Sequence, residues 1–239
     1  MPVSSSAHLA IVPRVLGWRY ASLDAAQRKT FEVALHAGSA PALGLAVAAT
    51  GTRPRPAWLA LTVLPPAVAG LLLERPIERR LGGTRSVALA QVAAGAALWA
   101  ADRRPAGRTS PDSADHLAVG IAQALSLAPG VSRAGAALTA GRLRGLARPA
   151  AAALALQAAL PVTVAATALK GFRLARAGGP GGALPAMAAG ASASLAAGLA
   201  ARGLFQRLAS GGSYAPLAAY RIAFGAAVLA GVRSGSAVK

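Results

Sequence analysis

No cysteine occurs among the 239 residues, which excludes disulfides, cysteine zinc sites and a thiol nucleophile and leaves the redox compartment unreadable. Charge is also scarce. Only 13% of the residues are charged and just 7 are acidic, against roughly 25% charged in an ordinary globular domain. Aromatics make up 4% and hydrophobic residues 55%, with a mean hydropathy of +0.50. A chain so apolar is not disordered, because disorder combines low hydrophobicity with high net charge. The 25 basic residues nevertheless give a net charge of +18, which taken alone would suggest a nucleic-acid binder. Their placement argues otherwise. Arg53 with Arg55, Arg79 with Arg80, Arg103 with Arg104, and the stretch 170–176 are short clusters between apolar runs, the pattern of loops beside anionic lipid headgroups. No nucleic-acid partner is expected. Only three of the basic residues are Lys, in a chain dominated by Ala, Gly, Arg and Pro, so the Arg excess carries little functional weight.

What is present in quantity is uncharged length. Residues 33–52, 56–73, 149–169 and 177–201 lack Asp, Glu, Lys and Arg over 18 to 25 positions, and about 20 apolar residues cross a hydrocarbon core. The window 86–101 is shorter, and 216–232 spans only if Arg221 snorkels or faces protein. Residues 116–132 and 134–141 are apolar but interrupted by Pro129, Gly130 and Arg133, as in a re-entrant or broken helix. The alternative is a soluble alanine-rich bundle, against which stands the lack of a polar stripe along 150–169. Trp58 and Trp99 lie near segment ends, where aromatic belts or ordinary packing place them. Basic residues on nearly every loop leave the orientation open, and no signal peptide is visible in the first residues.

Two stretches share a pattern. Pro2-Val3-Ser4 is followed by Ser5-Ser6-Ala7-His8, and Pro129-Gly130-Val131-Ser132 by Arg133-Ala134-Gly135. Leu35-His36-Ala37 with Pro41 is echoed by Leu156-Gln157-Ala158 with Pro161. Together they suggest two related halves, as in inverted-repeat membrane proteins whose sites form where broken helices meet. In the second stretch the helix breakers free backbone N–H groups, Ser132 offers a hydroxyl and Arg133 a planar fork of donors, a set suited to phosphate. The same residues also fit a plain loop with Ser132 as a cap and Arg133 in water. In the first stretch His8 offers a base or nucleophile beside serine hydroxyls. His36 and His116 are read as structural. No P-loop is present.

The two motifs, Pro2-Val3-Ser4-Ser5-Ser6-Ala7-His8-Leu9 and Pro129-Gly130-Val131-Ser132-Arg133-Ala134-Gly135, resemble the signatures of the undecaprenyl-diphosphatase family, also called bacitracin-resistance proteins. Phe31-Glu32-Val33 with His36 and Gly38, Gly145-Leu146-Ala147-Arg148 with Pro161, and Tyr220-Arg221-Ile222 with Gly225 follow in the same order. The resemblance covers essentially the whole chain. It implies an all-α polytopic membrane protein of two inverted repeats with re-entrant helices, forming one domain over 1–239: a first repeat over about 1–101, a charged loop over about 102–116 and a second repeat over about 117–239. The implied activity is hydrolysis of undecaprenyl diphosphate to undecaprenyl phosphate, which recycles the lipid carrier of cell-wall synthesis in the bacterial plasma membrane. By position, His8, Ser5 and Arg133 are the catalytic residues, and Ser4, Gly130, Ser132, Gly135 and Thr139 bind substrate. Arg133 would hold the diphosphate, while Ser5 or His8 would be nucleophile or proton shuttle. The partners are the polyprenyl diphosphate, the bilayer and a homodimer mate.

The chain departs from the family pattern in several places. The resemblance implies a divalent metal, Mg²⁺ or Ca²⁺, held by two glutamates upstream of the first motif, and Met1 stands before either could occur. The expectation is that the protein starts further upstream and that Met1 is a misassigned start. Ala134, Ala137 and Ala7 replace a serine, a threonine and a glycine, with Thr139 expected to cover part of the loss. Glu74 and Glu78 have the spacing of the missing pair but read as a membrane-edge charge cluster. Gln123, nine residues before Ser132, reads as a pseudo-equivalent polar position or as an interhelical hydrogen-bonding group. The alternative functions are a transporter of polyprenyl phosphate and a degenerate paralogue.

Overall fold

Each uncharged window becomes the middle of a longer helix. The computed structural model describes residues 2–51, 55–179, 181–210 and 212–233; Arg53, from one basic cluster, lies outside them. Among these residues the chain forms α1 (Ser5–Val15), α2 (Ala25–Ala48), α3 (Pro56–Leu81), α4 (Thr84–Asp102), α5 (Ser113–Leu125), α6 (Arg133–Leu143), α7 (Arg148–Arg176), α8 (Leu184–Ser210) and α9 (Ala215–Arg233). The only extended pairing among them is a parallel bridge between Arg108 and Leu146. Local chemistry sets several starts. Asp24 and Gln27 form a capping box on α2, Asp112 and Asp115 form one on α5, and α3 and α7 open with prolines in the first turn.

Charged clusters expected in loops extend helices instead. Arg79 and Arg80 end α3, and Lys170, Arg173 and Arg176 fall in the last turns of α7, because leaving the hydrocarbon does not oblige a helix to unwind. Five helices are long and apolar enough to cross a membrane, within α2, α3, α7, α8 and α9. The chain is therefore an all-helical polytopic membrane protein. Leu64, Val68, Leu71 and Leu72 lie on one face of α3 and are all exposed, a row that suits lipid and excludes the water-soluble bundle.

Among the described residues α1, α5 and α6 are too short to cross a bilayer. With 13 residues, α5 is only about 20 Å long, and the chain turns at residues 126–132 into α6. Both ends of this hairpin lie at the Asp102 end of α4, since Arg148 at the start of α7 donates to the Asp102 carboxylate at 2.7 and 3.1 Å. At the other end of α4, Arg14 of α1 donates to Thr84 Oγ1 at 3.0 Å. The Pro2–Ser4 loop and the 129–132 loop thus approach the interior from opposite ends.

Between them runs the α4–α9 pair, packed reciprocally. A Cβ on Gly95 of α4 would meet Arg221 Cβ at 3.1 Å and Ala218 O at 3.2 Å; one on Gly225 of α9 would meet Ala88 O and Val92 Cγ2, both at 2.7 Å. Glycine at these two places lets the backbones approach closely, as small residues do between membrane helices.

Candidate functional site

Arg221 is the residue the site is built around. Fully buried, it donates from Nη2 to the Gly130 carbonyl at 3.0 Å and from Nη1 to the Pro2 carbonyl at 3.4 Å. One side chain of α9 therefore ties together the two motif loops, which are 128 residues apart in sequence (Gly130 minus Pro2). Gln91, at the corresponding face of α4, donates to the Val3 carbonyl at 2.8 Å. Gly130 sits at φ +102°, where a Cβ would run into the Val87 carbonyl and Ala90, and a Cβ on Gly135 would run into Arg221 Nη1, so both glycines make room for the junction.

In the first motif, Ser4 precedes α1 in a left-handed conformation at φ 67°, the only such non-glycine among the described residues. Its carbonyl lies 2.7 Å from His8 Nδ1 and its hydroxyl 3.1 Å from that of Ser6. His8 Nε2 lies 2.6 Å from Tyr220 Oη, and the imidazole stacks on Phe224 at a centroid distance of 4.5 Å. Ser5, one helical turn before His8, is exposed. In the second motif, Ser132 Oγ caps α6 by accepting from Gly135 N at 3.2 Å. Arg133 does not point freely to water as in a plain loop, but donates to Thr163 Oγ1 of α7 at 2.8 Å. Thr139 donates back to the Gly135 carbonyl at 2.8 Å, so its hydroxyl is used within the helix.

The loops bearing Ser4, Gly130, Ser132 and Gly135 are thus joined through Arg221, whereas Arg133 reaches toward α7, with no described hydrogen bond to Ser5 or His8. Neither Arg221 nor Arg133 has a carboxylate within ion-pair distance among the described residues. In chemical terms the Arg221 junction brings an uncompensated guanidinium to both motif loops, while a second, that of Arg133, stands on α6 against Thr163.

The sequence profile described as Bacitracin resistance protein BacA matches residues 1–227. The chain belongs to this family. Among curated relatives, the undecaprenyl-diphosphatase of Geobacter sulfurreducens is 36% identical, with 96% of this chain and 91% of the relative covered. That of Pelotomaculum thermopropionicum is 34% identical over 96% and 89%, and that of Gemmatimonas aurantiaca 34% over 98% and 92%.

Membership of the bacitracin resistance family raises the question of the divalent ion. Among the described residues, no group of three or more His, Asp or Glu side chains gathers. Both ring nitrogens of His8 are engaged, and the carbonyls of Pro2 and Gly130 face a guanidinium. The described residues thus do not offer a ligand set that fits a protein-held Mg²⁺ or Ca²⁺. Glu74 pairs with Lys170 at 3.4 Å and Arg173 at 3.9 Å, and Glu78 with Lys29 at 3.4 Å, a charge cluster as read. Gln123 donates to the Thr62 carbonyl at 3.1 Å, an interhelical bond. His36 and His116 each bind a carbonyl one turn back, those of Glu32 and Asp112.

Sequence reasoning left Arg221, Tyr220, Gln91 and Thr163 out of the site. Arg221 carried a usable signal, as the sole charge in an apolar span. Gln91 is an amide in an otherwise uncharged window, a weaker sign, and nothing marks Thr163.

Proposed function

We propose that this chain is an undecaprenyl-diphosphate phosphatase of the bacterial plasma membrane, cleaving the terminal P–O–P bond with water to give undecaprenyl phosphate and phosphate. The observation that carries this reading is the junction itself. Two loops entering from opposite ends are held together by Arg221, and among the described residues neither Arg221 nor Arg133 is neutralised by an acid. A buried cation is costly in a bilayer interior, and an anionic phosphate group compensates it when bound. The names of the relatives agree in substrate.

In this reading Arg133 holds the diphosphate and meets the charge that develops in the transition state. Its guanidinium is planar and presents parallel donors to phosphate oxygens. Thr163 holds the fork in place. The N-terminus of α6, capped by Ser132, adds the free backbone donors of its first turn to the anion. His8 and Ser5 lie on one face of α1 at a separation of three residues, and one serves as nucleophile and the other as its partner in proton transfer. The reciprocal α4–α9 packing supports an inverted-repeat architecture with Gln91 and Arg221 as counterparts. A homodimer belongs to the same reading, with light scattering in detergent as its measurement.

The test is phosphate release from undecaprenyl diphosphate by the purified 239-residue chain in detergent, with and without Mg²⁺ or Ca²⁺, beside Arg133→Ala. Release that depends on Arg133 is expected. A folded chain that releases no phosphate, or an Arg133→Ala variant as active as the parent, would overturn the assignment.

A further inference from the structure

His8 is held at three points, and two of them are on α9. Nδ1 lies 2.7 Å from the Ser4 carbonyl. A carbonyl only accepts, so Nδ1 carries the hydrogen and donates. In the neutral ring this leaves the lone pair on Nε2, and Tyr220 Oη, 2.6 Å away, donates its proton to it. The ring plane is set by Phe224, stacked at 4.5 Å and 15°, and the Tyr220 ring lies nearly parallel to the imidazole at 8°. Tyr220 and Phe224 are four residues apart on the face of α9 next to Arg221, which holds Pro2 and Gly130. The same helix thus sets both the loop junction and the reactive nitrogen.

We propose that Tyr220 is a positioning residue for the phosphatase reaction, and this rests on the functional reading above. Its hydroxyl holds His8 in the Nδ1–H tautomer, with the Nε2 lone pair aimed out of α1. Tyr220 is 45% exposed, unlike its neighbour Arg221, so the phenol has room to leave when the O–H of Ser5 or of a water takes its place on Nε2. In the free protein it prevents the imidazole from turning its basic nitrogen into the backbone. Phe224 supplies the flat surface on which the ring stays oriented through the exchange.

The experiment compares the parent with Tyr220→Phe, which keeps the stacked ring and removes only the hydroxyl, and with Phe224→Leu, which removes the stack. Two readouts are used: kcat and KM for phosphate release, and the ¹⁵N resonances of the histidine rings in uniformly labelled detergent-solubilised protein. With three histidines in the chain, His8 is assigned by its loss in His8→Gln. For Tyr220→Phe the expected result is a kcat lower by about tenfold, the effect of one hydrogen bond. KM and the melting temperature should stay unchanged, and the His8 Nε2 resonance should move toward that of an unbonded ring nitrogen. A resonance that does not move, or a moved resonance with unchanged kcat, overturns the proposal. If the parent releases no phosphate, the functional reading fails by itself. The ¹⁵N signal then decides: a moved resonance upholds the Tyr220 hold on His8 and an unmoved one removes it.

Discussion

Arg142 and Arg221 are both buried guanidinium groups on helices, yet their surroundings compensate them in opposite ways. Arg142 lies 3.7 Å from the Asp102 carboxylate and donates to the carbonyls of Leu146, Asp102 and Arg104 at 2.7 to 3.0 Å. The same carboxylate also takes Arg148, the Ser213 hydroxyl at 2.6 Å and the Tyr214 N–H at 2.8 Å. This knot joins the ends of α4, α6, α7 and α9. Arg221 has two carbonyls and no acid among the described residues. The first arrangement is closed, with charge cancelled inside the fold. The second is open, with its charge left without a carboxylate among the described residues. The difference separates an Arg whose charge the fold cancels from one whose charge it leaves standing, a distinction that burial alone does not make.

The largest effect expected from this comparison is on stability. Asp102→Ala leaves Arg142 buried without its acid, and breaking such a pair costs about 3–5 kcal/mol. Thermal or denaturant unfolding in detergent should show that loss, while phosphate release per folded molecule stays near the parent value. Next comes Arg133→Ala, where the order reverses. Activity should fall about 10²–10³-fold, as when a donor to transition-state charge is removed, with little change in melting temperature. If Asp102→Ala kills activity in a folded protein, or Arg133→Ala mainly unfolds it, the division between closed and open sites fails. Thr163→Val is milder. It removes the bond that steadies Arg133 and should lower kcat/KM about tenfold, the scale of one hydrogen bond to a charged group.

The crossing helices were legible because composition alone separates lipid-facing chain from the rest. Their ends were not. The window beginning at residue 33 corresponds to α2, which starts at Ala25, since the Asp24–Gln27 box extends the helix through Arg28, Lys29 and Glu32 outside the apolar core. The break between α5 and α6 was readable from Pro129 and Gly130, and both motif loops from their resemblance to a family. The joining of those loops was not readable. It depends on a carbonyl-to-guanidinium contact between residues 2, 130 and 221, and backbone oxygens leave no mark in a side-chain pattern. Thr139, expected from the resemblance to cover part of the loss at Ala137, shows what a pattern does not carry: its hydroxyl donates to the Gly135 carbonyl one turn back.

The smallest expected effect, and the sharpest for the closed arrangement, is its pH dependence. Asp115, in the first turn of α5 and outside the crossing helices, is fully buried. Burial pushes its carboxyl up. The hydrogen bonds from Arg108, the Asp112 backbone and Arg144 outweigh that and hold it below the ordinary carboxylate range. A carboxylate whose folded pKa is depressed contributes stability that is complete above its unfolded value, about 3.9, and is lost as pH falls through the folded one. The contribution of Asp115 to the melting temperature should therefore not vary with pH between 8 and 5, taken as roughly the plateau of maximal stability, and should fall with acid below about pH 4. Asp115→Asn should lower stability across the plateau and flatten the acid limb, because the amide has no proton to gain. An acid limb equally steep in the variant would assign the loss to other carboxylates and leave the Arg108–Asp115–Arg144 group without a share in it.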